Sequence, residues 1–213
     1  FIWDMRYLPA REVPGDNTVK QNPTAPLALP GTYKVELSVG SQTQIETFEI
    51  HQDPRVTTST GDLRSQFELM ISIRDKLSET HDGVNLLRNI LRQINQWELN
   101  AVNQSETIKT VARKIEGALQ NIERNLMHGP PSGGQTNFTT TTGYNSGALN
   151  DRLSMLTSTV EISDYVPTKQ SYEVFSYLSK LIDNELEQLQ KIIKEDIKEF
   201  NNLVSDLPII SIQ

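Results

Sequence analysis

From Leu63 to Ala101 the apolar residues return at intervals of three, four and seven: Leu63, Phe67, Met70, Leu77, Val84, Leu87, Leu91, Ile94, Trp97 and Ala101. An α-helix turns once every 3.6 residues, so these intervals draw a single apolar stripe along one face of a rod. At 1.5 Å per residue the rod is on the order of 55 Å long. A rod with so narrow a stripe is marginal alone in water and must bury it against other elements. Arg74 and His81 fall where the stripe would otherwise continue. Gly83 costs about 1 kcal/mol against Ala in a helix interior without having to end the helix. At the start, Ser59-Thr60-Gly61-Asp62 loosely fits a capping box, with Ser59 as N-cap and Asp62 in the place of the usual Glu.

Three more stripes follow. Ile108, Val111, Ile115, Leu119, Ile122 and Leu126 mark a helix from near Ser105 to Met127. Leu149, Leu153, Leu156 and Val160 mark a short one. Phe175, Leu178, Ile182, Leu186, Leu189, Ile193, Ile197, Phe200 and Leu203 mark a long last helix, with Thr168 placed to cap it and Pro208 at its exit. The stretch from His128 to Gly147, rich in Gly, Pro, Thr and Asn, reads as a long loop. Four singly striped helices predict a bundle or an extended antiparallel coiled coil. Pairing the first and last helices along their length is the simplest burial, with the two shorter ones opposite.

Before Pro54 the period is two. Residues 1 to 8 alternate, with Phe1, Trp3, Met5 and Tyr7 on one side, which predicts a strand. Pro9 to about Pro30 reads as loop. Tyr33, Val35, Leu37 and Val39 then line one face of a second strand, Gly40-Ser41 fits a two-residue turn, and Phe48 and Ile50 continue a return strand. Ile45 is out of phase, which suggests a bulge or a longer turn. Three strands cannot close a sandwich, so either upstream residues complete the sheet or helices cover it. The chain opens directly in apolar sequence with no initiator Met and no signal peptide, and is expected to be a piece of something longer.

The chain has 213 residues and a formal charge of -7, which disfavours nonspecific binding to nucleic acid or to an anionic membrane. No apolar run is long enough for a membrane span. With no cysteine, there is no disulfide framework, thiolate zinc site or cysteine nucleophile. His51, His81 and His128 sit in three different elements, and no helix carries the Glu-x-x-His of a di-iron bundle. His81 reads as a packed or hydrogen-bonded residue. There is no G-x-S-x-G, and Gly133-Gly134 lacks the Lys of a phosphate loop. Glycoside hydrolysis needs paired carboxylates. Asp183 with Glu187, and Glu195 with Glu199, each share a helix face, but Lys191, Lys194 and Lys198 interleave with them as on a solvated, ion-paired surface. Trp3 and Trp97 both read as core rather than as a sugar platform. Asn103-Gln104-Ser105 and Asn137-Phe138-Thr139 match the glycosylation triplet, a frequent chance match. No catalytic, cofactor-binding or metal-ligating residue is assigned, and no cofactor is expected.

The phrases FIWDMRY and APLALPGTYKVELSVGSQTQIETFEIHQDPRV resemble the C-terminal region of large secreted bacterial proteins built on sialidase-like, BNR-repeat β-propellers, described as glycosyl hydrolases or as sortilin-like. DLRSQFELMISIRDKLSETHDGVNLLR resembles that region's first helix, and ALNDRLSMLTSTVEISDYVPTKQSYEVFSYLSKLID its last two. In this resemblance Trp3 is a buried strand residue and Pro30-Gly31 a turn into the next strand. The β part also looks like the later strands of an Ig-like domain. The expected fold class is therefore α+β: a partial Ig-like antiparallel β-sheet over residues 1–53, then an antiparallel four-helix bundle with two long helices over residues 54–213. The resemblance implies a noncatalytic C-terminal module, structural or partner-binding, in a secreted or periplasmic protein. Its partner would be the N-terminal β-propeller of the same parent, or another protein or a glycan. The alternative is an accessory part of a glycoside hydrolase that completes the propeller's site. No catalytic residue carries over, because no position here matches one, and family membership gives no activity to a piece without the site.

Overall fold

The change of period at Pro54 is a change of architecture. In the computed structural model, which describes residues 2–15, 25–100, 106–128, 147–162 and 164–204, an antiparallel two-stranded sheet is followed by four helices in a bundle, an α+β chain. Strands β1 (Gly31–Val39) and β2 (Gln42–Ile50) pair in unbroken register, from Gly31 opposite Ile50 to Val39 opposite Gln42. Gly40 has φ of 60°, so Gly40-Ser41 is the expected two-residue turn. There is no bulge at Ile45. It pairs with Glu36 and points to the face opposite Tyr33 and Phe48.

The predicted first strand does not form. Arg6 makes one antiparallel bridge, to Leu27, and Met5 turns the chain with φ of 60°. Local hydrogen bonds explain the loss. The Asp4 carboxylate accepts the Arg6 N–H at 3.0 Å, and the Trp3 indole N–H donates to the Arg6 carbonyl at 2.8 Å. Such side-chain bonds offer the backbone an alternative to a ladder. Trp3 is therefore not a buried strand residue. It is 36% exposed, and its ring rests on Tyr33 and Phe48 with centroids 5.9 and 6.1 Å away.

Helix α1 (Thr60–Asn100) starts at the predicted cap: the Ser59 hydroxyl accepts the Asp62 N–H at 3.1 Å and donates to the Asp62 carboxylate at 2.8 Å. Helix α2 (Glu106–Glu123) ends in a π turn, Arg124–His128. Helix α3 spans Leu149–Glu161. Helix α4 (Lys169–Ile192), capped by Thr168 Oγ1 on the Ser171 N–H at 3.2 Å, runs through a π turn at Ile193–Ile197 into α5 (Lys198–Leu203), so α4 and α5 form one rod. Cross-contacts give the directions. Tyr172 reaches Ser65, Lys76 pairs with Asp183, and Trp97 meets Phe200, so the two long rods pair along their length and run parallel. Arg88 pairs with Glu123 and Gln66 reaches Val160. Thus α2 and α3 lie end to end as a broken arm that runs antiparallel to both rods.

The last stripe holds through the π turn and departs at its end. Ile197 and Phe200 are buried as the interval places them, Ile192 is buried with Ile193 packed beside it, and at the far end Val204 is buried while Leu203 is exposed. The core is one contiguous cluster that includes Ile73, Leu77, Leu87, Ile90 and Ile94 of α1, with Leu119, Leu126, Leu153, Ile182 and Phe200 from its neighbours. Ala10 and Val13, within the stretch read as loop, belong to this cluster as well. Among the described residues no helix is long and apolar enough to cross a membrane.

Candidate functional site

Residues 8–15 form an extended strap along α1. The Arg11 N–H donates to Ser78 Oγ at 3.2 Å, and its guanidinium grips Asp82 at 2.5 and 2.7 Å. The Asn85 amide donates to the Glu12 carbonyl at 3.1 Å. His81 is buried with Nδ1 against the Arg11 carbonyl, as a hydrogen-bonded seam residue should be. The sequence marked the interruption of the stripe but not the strap that causes it. Arg74 and His81 interrupt the α1 stripe because that side of the helix faces a backbone with carbonyls to satisfy. Arg74 Nη1 lies 3.5 Å from the Leu8 carbonyl. His51 is exposed beside Glu49, and His128 lies in the π turn after α2, so the three histidines stay apart. No group of three His, Cys, Asp or Glu side chains able to hold a metal occurs among the described residues.

Of the carboxylates singled out from the sequence, Asp183, Glu187 and Glu195 line a groove of 780 Å³ between α1 and α4, with Leu86, Leu186 and Leu189. Gly83 lies in this groove, and a Cβ there would run into Leu186. Four of the five acids that line the groove have a cation beside them, and the fifth, Glu187, is exposed. Lys76 spans Asp183 at 2.7 Å and Glu79 at 2.5 Å. Arg11 holds Asp82 at 2.5 Å, and Lys191 stands 4.0 Å from Glu195. Burial alone would depress the Lys76 ammonium, but the two carboxylates outweigh it and the pKa is raised from 10.5. This is a surface held by ion pairs. Glu199 is exposed and does not line the groove.

One carboxylate sits inside and a second is half-buried. Asp151, in the first turn of α3, is 1% exposed with Oδ2 unpartnered, and burial raises its pKa from 3.8. Burial also raises Glu185, against the opposing hydrogen bond from the Asn125 amide at 3.0 Å. Both were missed by the sequence reading, since neither spacing nor neighbours distinguish them from surface acids. A smaller cavity of 400 Å³ lies where the hairpin meets α1, walled by Met5, Leu27, Ile50, Leu63, Phe67 and Met70. Glu161 at this cavity is tied to Arg6 at 2.7 Å, and Arg6 also donates to the Ala25 carbonyl at 2.6 Å. Trp97 is core, as expected, with its ring edge-on to Phe200 at 5.0 Å.

The largest apolar surfaces are exposed. On α3, α4 and their connection, Met155, Ile162, Tyr165, Val166, Val174 and Tyr177 face solvent, and Arg152 stacks over Tyr177 at 5.9 Å. On the hairpin, Val35, Leu37, Val39 and Ile45 are each more than half exposed. The glycosylation triplets at Asn103 and Asn137, Gly133-Gly134 and Pro208 lie outside the described residues. No family model, curated protein or solved structure matches the chain.

Proposed function

We propose that the chain is a noncatalytic structural or partner-binding module of a larger secreted or periplasmic protein, the C-terminal piece of a propeller protein of the kind it resembles. One observation carries the reading: of the five acids that line the groove, Asp183, Glu79, Asp82 and Glu195 each have a cation within 4.0 Å, and Glu187 stands exposed to solvent. A general acid needs a carboxyl kept protonated, and a nucleophile needs an open face toward substrate. Cations at these distances work against both. The exposed Tyr, Met and Val side chains over α3 and α4 supply the contacting surface, since an apolar patch rimmed by polar residues is the usual mark of a docking face. The partner on this reading is the parent's propeller, another protein or a glycan.

The isolated chain is expected to turn over none of a panel of aryl glycosides and sialosides. Turnover that survives purification and disappears in Glu195→Gln or Glu199→Gln overturns the reading. Deleting residues 54–213 from the full-length parent is expected to alter solubility and leave turnover unchanged. A loss of turnover favours an accessory part of a glycoside hydrolase.

A further inference from the structure

Among the described residues the hairpin leaves a complete nine-residue edge unpaired, because β1 has β2 on one side and no strand on the other. In a two-residue hairpin the pair flanking the turn, here Val39 and Gln42, exchanges both backbone hydrogen bonds, and alternate pairs repeat the pattern. The odd residues of β1 are thus bonded to β2. Thr32, Lys34, Glu36 and Ser38 direct their N–H and C=O groups outward. Edges of this kind are normally guarded by proline, bulges, short length or inward charge. This one has no proline and no bulge. Among the described residues its single lysine, Lys34, forms no ion pair, and neither does Glu36 two residues on.

We infer that the β1 edge pairs with the β1 edge of a second copy, antiparallel and centred on Val35. Four features meet in this one register. Val35 is the midpoint of Gly31–Val39, so all nine residues pair. Even residues meet even residues, as the outward hydrogen-bonding groups require. Lys34 of each copy lies opposite Glu36 of the other, giving two reciprocal ion pairs. On the other face Val35 meets Val35, and Tyr33 meets Leu37. Sliding by two residues to either side shortens the overlap and sets Lys34 against Lys34 or Glu36 against Glu36, which is unfavourable. The β2 edge offers no such match, since its charged residues are Glu46 and Glu49 with no cation. The product is a continuous four-stranded sheet. The exposed residues Val35, Leu37 and Val39 of both copies lie side by side at its centre, with Phe48 and Ile50 outside them.

Sedimentation of the full chain from low micromolar to several hundred micromolar tests the pairing. Reversible dimers are expected, weakened at least tenfold by Lys34→Glu and by Glu36→Lys, and restored when both reversals are combined. The chain has no cysteine, which allows a second readout. Opposed residues of a non-hydrogen-bonded pair have Cα atoms about 4.5 Å apart, within disulfide range. Mild oxidation should therefore cross-link Val35→Cys. Val39→Cys, which faces Gly31 of the second copy, should cross-link far less at the same concentration. A wild-type chain that stays monomeric over the whole range overturns the inference and leaves the edge to a strand of another protein. Association indifferent to the single reversals, or equal cross-linking of the two cysteine variants, overturns it too.

Discussion

Helix α1 and strand β1 each present an apolar face that is plain in the sequence, and the two faces meet opposite fates. On α1, Leu77, Val84, Leu87 and Ile94 are fully buried. On β1, Val35, Leu37 and Val39 are 51%, 64% and 69% exposed. The difference lies in the number of neighbours. α1 has the parallel α4 rod, the antiparallel α2–α3 arm and the N-terminal strap against it, so nearly every side is covered. Among the described residues β1 has one hydrogen-bonded neighbour and no second layer over Val35, Leu37 and Val39, and a layer architecture needs two. Periodicity assigns a face to an element. It does not say whether anything lies against that face.

The contrast is broken most directly in the bundle. Phe200, fully buried against Trp97, is expected to cost about 3–5 kcal/mol as Phe200→Ala in urea denaturation. A cost below about 1 kcal/mol would mean the far end of the bundle is not packed as described. Lys76→Ala comes next, at about 1–2 kcal/mol, because it unlinks α1 from α4 while its partners keep access to water. The folded-state pKa of Lys76 is raised, so its contribution is fully present below 10.5 and fades as pH rises through the folded value. Thr168→Ala removes the cap of α4 and is expected to cost about 1 kcal/mol. Asp151→Asn should act in the other direction. A carboxylate whose pKa is raised on folding stabilises fully only below 3.8, and the stability is lost as pH rises through the folded value. The substitution therefore gains stability at neutral pH, and the gain vanishes in acid. A pH series of unfolding midpoints checks the sign.

What was legible in the sequence is what local chemistry fixes. Helical stripes, the Ser59 and Thr168 caps and the Gly40 turn all follow from one element's own residues, and each is present. What was not legible is a local competition that periodicity does not register, or a contact between segments distant in sequence. Met5 and Trp3 leave strand geometry because Asp4 and Arg6 hydrogen-bond locally, a competition that alternation cannot register. The strap over Arg74 and His81 joins residues some seventy positions apart, beyond any window of periodicity. At the end of the last stripe Val204 rather than Leu203 is buried, two neighbours that both fit the interval after Phe200. As for a site, the sequence located the carboxylates on one helix. It could not show that Lys76, from α1, would lie between Asp183 and Glu79.

The smallest expected effect is the one that sharpens the comparison most. Leu37 is 64% exposed, so Leu37→Ser forfeits little burial in the isolated chain. At low micromolar concentration its urea midpoint is expected to shift by no more than about 0.5 kcal/mol in stability, the range of ordinary surface substitutions. The same residue behaves differently if β1 edges pair, because Leu37 then faces Tyr33 of the second copy. Linkage to association makes the wild-type midpoint rise with protein concentration. Leu37→Ser is expected to flatten that rise while leaving the dilute-limit value in place. A large loss in the dilute limit would instead mean that β1 is already covered within its own chain, and the contrast with α1 would dissolve.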